Sequence, residues 1–176
     1  NDKSFNAFVV DGRRIFVNTG ALAESTTPNQ IIGVMAHETG HIAGGHLSKL
    51  RQELANVQTA ALIGMLIGAA AIAAGSAAGG GAADGAGQAG MAAIMGSQHV
   101  AQRTLLSYQR AHEEAADRAA VKFLAATGQS AKGMYETFKR FADQSMFTAR
   151  FADPYAQSHP MPTERIAALT EIARTS

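Results

Sequence analysis

At 176 residues the chain is long enough for one domain with a sizeable core. A formal net charge of +1, with no basic stripe interleaved with aromatics, argues against a nucleic-acid partner. Cysteine is absent, which excludes a disulfide framework and any thiolate metal site, so a metal would have to be held by histidine and carboxylate. The chain opens at Asn1 with neither Met nor a signal segment, as expected of a processed or trimmed fragment.

The first elements read as a β-hairpin. Residues 5–10 and 15–18 are β-rich runs flanking Asp11-Gly12, a dipeptide favoured in tight hairpin turns, and Thr19-Gly20 is expected to end the pair. The hairpin is either plain core structure or a free edge along which an extended peptide could pair. A helix is predicted next. Thr27 suits the N-cap, Pro28 the first helical position, and Gln30 completes a capping box. Ile31, Ile32, Val34, Met35 and Ala36 then make a near-continuous apolar run, which predicts a helix buried on most sides.

That helix carries His37-Glu38-Thr39-Gly40-His41. Residues four apart lie on one helix face, so the two imidazoles can direct one nitrogen each at a single Zn²⁺. Glu38 sits one step round, where it can take a proton from water beside the metal. His46 falls one residue short of the third histidine of the metzincin pattern, since position 47 is Leu. If the helix continues, His46 points away from the face shared by His37 and His41, so it is expected to be a structural or surface residue.

Residues 54–102 form an apolar insert rich in Gly and Ala, whose one formal charge is Asp84. The stretch 57–78 has the length of a membrane span but is poor in Leu, and Ala60, Gly64 and Gly68 have small-xxx-small packing spacing. One crossing would separate His41 from any ligand beyond the insert, so helices that dock on the catalytic core, a membrane surface or a partner are expected through 57–95. Residues 75–90 read as a mobile loop whose glycines fit no nucleotide-binding fingerprint.

A second long helix is predicted around 107–118, ending near Gly128, with Val100, Leu105, Leu106, Ala115, Ala119, Phe123 and Leu124 packed. Glu113 and Asp117 share a face. Glu113 can complete a two-His, one-Glu zinc site with an open fourth position, and Asp117 can accept a hydrogen bond from the outer nitrogen of a ligating imidazole, His37 being the natural partner. His112 and Glu114 are expected at the surface. Further on, Ser130 can cap a helix carrying Met134, Phe138, Phe141 and Ala142, and Thr163 a last helix ending near Ala173. Met146, Phe147 and Phe151 are expected in the core.

His-Glu-x-x-His followed by Glu-x-x-x-Asp is the gluzincin pattern. Together with Asn6-Ala7-Phe8, Ile15-Phe16-Val17-Asn18-Thr19-Gly20, His159-Pro160 and Arg165-Ile166, it resembles the zinc metallopeptidase family of the CAAX prenyl protease, the heat-shock protease HtpX and the protease BepA. The likeness covers about 6–169 and is nearest to the periplasmic, BepA-like branch. The signal region and the C-terminal TPR repeats of that branch lie outside this sequence. The resemblance implies that the loop holding His159 lies over the active site, where His159 either joins the zinc as a fourth ligand or, with Arg165, stabilises the oxyanion.

The combined expectation is a mainly α domain with a small β-sheet (α+β), zincin-like, over 1–176 and interrupted by the insert 54–102. It would hold one Zn²⁺ on His37, His41 and Glu113, use Glu38 as general base, and cleave peptide bonds of unfolded or misassembled proteins. The resemblance places it in the periplasm or at a membrane of a bacterial envelope. Protein or peptide substrates are implied, and neither nucleic acid nor nucleotide. The competing reading is a non-catalytic chaperone or scaffold with a structural zinc.

Overall fold

The computed structural model describes residues 2–147 and 154–176, the side chains of residues 82 and 145–147 excepted. The expected core positions Met146, Phe147 and Phe151 lie outside the described side chains. Two compact units emerge: Asn1–Ser48 with Arg110–Ser176, and Lys49–Gln109.

The first unit begins with the hairpin. Strands β1 (Ala7–Val10) and β2 (Arg14–Val17) pair antiparallel with Ala7 opposite Val17 and Val10 opposite Arg14. Three residues therefore make the turn. Asp11 (φ 55°) and Gly12 (φ 66°) both adopt the left-handed conformation that Asp tolerates and Gly accepts freely. Ala7 is buried, while Phe8 and Phe16 stack on the exposed face with ring centroids 5.8 Å apart. Thr19-Gly20 does not merely end the hairpin but opens a short helix, α1 (Thr19–Glu24).

Helix α2 (Pro28–Ala43) starts where Thr27 and Pro28 predict. The capping box is displaced by one residue: Thr27 makes no side-chain cap bond, and Gln30 Oε1 accepts from the Thr26 N–H at 2.9 Å. The apolar run is buried on one side rather than most. Val34 and Ala36 face the core, whereas Met35 is 44% exposed. Helix α5 (Lys132–Phe147) packs against α2, and α7 (Thr163–Thr175) against α5. Ser130 Oγ accepts from the Lys132 N–H at 3.1 Å and tethers the start of α5, as its position predicts. Phe5, Val34, Leu124, Met134, Phe138, Phe141, Tyr155 and Leu169 fill the core, Phe5 meeting Phe141 edge-on at 4.8 Å. Tyr155 belongs to a short helix, α6 (Pro154–Ser158).

Helices α3 (His46–Ala78) and α4 (Gly81–Ala126) correct the expectation for the insert. The expected loop at 75–90 is helical except at Gly79 and Gly80, whose φ values of 70° and 60° make the one break. Alanine is the best helix former, and it outweighs the cost of about 1 kcal/mol that each interspersed glycine imposes. The helix predicted around 107–118 is the C-terminal part of α4, which runs unbroken from the insert. Val100 and Leu106, expected to be packed, are 64% and 43% exposed.

Within the second unit the small-residue spacing does what it predicts. A Cβ on Gly64 would stand 2.4 Å from Ser97 Cβ, and one on Gly68 would stand 2.6 Å from Gly90 O, so α3 and α4 approach antiparallel at backbone contact. The outer surface of α3 is apolar, with Leu62, Ile63, Leu66 and Ile67 all more than half exposed. By length and composition α3 is long and apolar enough to cross a membrane, and most of its apolar stretch is exposed.

In the first unit, α2 and α4 cross at Gly40. A Cβ there would lie 2.6 Å from Ala116 O, so only glycine lets the two backbones meet. This contact brings the Glu113–Asp117 face of α4 against the histidine face of α2.

Candidate metal centre

The i, i+4 spacing on α2 sets His37 and His41 one turn apart, with their Nε2 atoms 3.0 Å from each other. Glu113 of α4 faces both: its Oε2 is 3.3 Å from His37 Nε2 and its Oε1 3.2 Å from His41 Nε2. His159, which follows α6, completes the group. Its Nδ1 lies 3.1 and 3.2 Å from the two Glu113 oxygens and 3.4 Å from His37 Nε2. One potential ligand atom from each of these four residues falls within 4.8 Å of the others. Such a cluster could bind a metal ion.

The hydrogen bonds behind the cluster fit a cation at its centre. Asp117 Oδ1 accepts from His37 Nδ1 at 2.9 Å, as the spacing on α4 predicts. A proton fixed on Nδ1 leaves the lone pair of Nε2 facing inward. Arg165 of α7 donates to both Asp117 oxygens, at 2.5 and 2.9 Å, and its Nη1 lies 2.7 Å from Glu113 Oε2. A further bond runs from Nη1 to Pro160 O at 3.0 Å, and the guanidinium lies over the Phe138 ring. Arg165 is thus committed to the carboxylates and to the loop holding His159. Imidazole and carboxylate acceptors meet at one buried point, which suits a borderline divalent ion.

The electrostatics of the metal-free chain follow from burial and these partners. Burial works against charge on His37, but hydrogen bonds to Asp117 and Glu113 outweigh it and lift the imidazole to about 9. For His159 burial wins and pushes it down to about 4. Burial opposes charge on Glu113 too, yet its histidine partners hold its carboxyl well below the ordinary range.

Glu38 is 1% exposed, and burial pushes its carboxyl up to about 7. Tyr155 donates its hydroxyl to Glu38 Oε1 at 3.2 Å, and His159 Nε2 is 3.4 Å from the same oxygen. Nothing in the sequence signals that Tyr155 reaches Glu38; Pro154 marks only the start of its helix.

His46 corrects the expectation of a residue pointing away. Helix α2 stops at Ala43, so the helical continuation that would turn His46 outward does not exist. The residue is 7% exposed, and its Nδ1 is 3.0 Å from His41 Nδ1. His112, expected at the surface, is half-buried and stacks on His46 with ring centroids 4.4 Å apart and planes 6° from parallel. Glu114 is exposed as expected.

The model of peptidase family M48 matches residues 1–173. The chain belongs to this family. Over 170 residues it is 26% identical to the beta-barrel assembly-enhancing protease of Escherichia coli K12 and 25% identical to that of Yersinia pestis, covering 95% of this chain in each case. A Vibrio cholerae protein described provisionally under the same name is 31% identical over 176 residues, or 98% of this chain. The chain spans about a third of the length of these curated relatives, 33% of the Vibrio protein and 32% of the other two. No solved structure matches.

Proposed function

We propose that this chain is the catalytic part of a zinc-dependent endopeptidase that hydrolyses peptide bonds of unfolded or misassembled proteins in a bacterial envelope. The observation that carries the reading is the convergence of His37, His41, Glu113 and His159 on one buried point with the Glu38 carboxylate alongside. Family M48 supports the peptidase class, and relatives named beta-barrel assembly-enhancing proteases support the envelope setting.

In this reading His37, His41 and Glu113 hold one Zn²⁺. Bound zinc supplies Lewis acidity, polarising a carbonyl and acidifying a water. Glu38 accepts the proton of the attacking water on its carboxylate and returns it to the leaving amine. Burial suits Glu38 to both halves of that transfer, since its proton affinity is raised to about 7, near neutral pH. Asp117 orients His37, and Arg165 pairs with Asp117 and Glu113 and holds them aligned rather than meeting the substrate directly. His159 is the fourth donor of the set. With His159 on the zinc, the attacking water would be displaced, and the enzyme would rest latent until a substrate or partner lifts residues 158–162.

The exposed apolar surface of α3 supports docking of residues 57–95 on a membrane surface. Zinc analysis and casein cleavage on wild type and Glu38→Gln test the enzymatic reading. Zinc retained with cleavage lost is expected. Equal zinc in both, with no cleavage by either under any activating condition, would favour the chaperone or scaffold with structural zinc.

A further inference from the structure

His41 offers two nitrogens, and the one turned away from Glu113 is answered by a third histidine. The turn that brings it there is built for the purpose. Gly45, at φ 61°, breaks the helical path directly after α2. Gly44 makes room for the returning ring, because a Cβ on it would lie 2.2 Å from His46 Nε2 and 2.6 Å from His46 Cδ2. His46 then opens α3 with its Nδ1 at 3.0 Å from His41 Nδ1. Its ring stands nearly perpendicular to that of His41, at 84°, and lies flat on His112 of α4.

Two imidazole nitrogens at hydrogen-bond distance need one proton between them. If His41 is to present a lone pair on Nε2, that proton must sit on His41 Nδ1, which then donates to a bare His46 Nδ1. From this geometry we infer that His46 is the positioning residue for His41, selecting its Nε2-binding tautomer, with His112 holding the His46 ring in plane. The two ligands on α2 are therefore supported differently. His37 leans on the ion pair of Asp117 and Arg165, and His41 on the stacked rings of His46 and His112. This inference rests on the reading of His41 as a zinc ligand.

Zinc affinity, measured by competition with a chromophoric chelator, tests the role. His46→Leu should weaken zinc about 10–100-fold, the range typical for loss of such a partner. His46→Asn should recover most of the affinity, because an Asn oxygen occupies nearly the place of His Nδ1. Gly44→Ala keeps every imidazole yet should resemble His46→Leu, since its methyl displaces the His46 ring. Nitrogen-15 spectra of the imidazoles add a readout that mere destabilisation does not move. In wild type with and without zinc, His41 should carry its proton on Nδ1, and His46→Leu should lose that preference in the metal-free chain. Zinc binding by His46→Leu within twofold of wild type would overturn the inference, as would a His41 proton on Nε2 in the zinc form. Failure of wild type to bind zinc would instead refute the underlying zinc reading, while the metal-free spectra would still report on the bond between His41 and His46.

Discussion

Asp117 Oδ1 lies 2.9 Å from Nδ1 of His37, on the side of the ring opposite the nitrogen that meets Glu113. Burial opposes charge on this carboxyl, but the hydrogen bonds from His37 and Arg165 outweigh it and hold it below the ordinary carboxylate range. Asp117→Ala removes the partner that fixes the tautomer and leaves Arg165 with a buried, partly unpaired charge. Zinc affinity should fall about 10–100-fold, and the fold should lose about 3–5 kcal/mol. Chelator competition and denaturant titration check the two effects separately.

Protonation of His37 ties metal binding to pH. Without metal its pKa is raised to about 9 from the ordinary 6.5. A raised histidine contributes stability that is fully present below pH 6.5 and is lost as pH rises through 9. The metal-free chain should therefore become less stable between pH 7 and 9, above the range where Glu38, raised to about 7, also loses its proton. Zinc must displace the His37 proton, while His159, lowered to about 4, has none to give. Calorimetry at pH 7 in buffers of different ionisation enthalpy should report release of about one proton per zinc. Release of none would contradict the protonated state of His37.

His159 faces Glu113 through Nδ1 and Glu38 through Nε2. As an inhibitory fourth ligand it predicts that His159→Ala raises proteolysis. A fall in kcat with zinc retained would assign it to the transition state instead. An unchanged rate together with unchanged zinc affinity would remove it from the site.

Gly40→Ala tests the crossing of α2 and α4. The added methyl would meet the Ala116 carbonyl at 2.6 Å, and backbone cannot yield as a side-chain tip can. A loss of about 1–3 kcal/mol is expected, together with weaker zinc binding, because the same displacement parts Glu113 from the histidines. Thermal melts with and without zinc measure both.

In the second unit the glycine break limits where a protease can cut. Nicking should concentrate at Gly79-Gly80 rather than spread over 79–90, since Gly81 already opens a helix. Flotation with anionic liposomes should carry the chain upward, and Leu66→Asp, on the most exposed of the large apolar side chains of α3, should reduce it. Binding indifferent to this substitution would count against membrane docking through that helix.

The candidate cluster was legible in its two halves, because four-residue spacing puts 37 and 41 on one helix face and 113 and 117 on another whatever the tertiary arrangement; that the two faces meet depends on the crossing at Gly40. The hairpin, the start of α2 and the tether of Ser130 were legible for a similar reason: turn and cap chemistry is local. What escaped depends on contacts distant in sequence or on a break between helices. The direction of His46 follows from helical spacing only if the helix continues, and it ends at Ala43, before Gly44 and Gly45. The stretch 75–90 has the glycine content of a loop, but the alanines between its glycines propagate helix on both sides of Gly79 and Gly80. Tyr155 reaches Glu38 across 117 positions, and no local pattern encodes that.

Arg165 touches Asp117, Glu113 and the carbonyl of Pro160 with a single guanidinium. The segment bearing His159 and the segment bearing Glu113 are therefore not independent binding surfaces. If Glu113 holds zinc as proposed, lifting residues 158–162 in a way that disturbs Arg165 also disturbs that ligand, and the two events share one coupling free energy. Reciprocity then applies. On the proposed reading, a partner that draws that loop outward would weaken zinc binding by the same factor by which bound zinc weakens the partner, so metal supply would itself gauge how readily the site is opened.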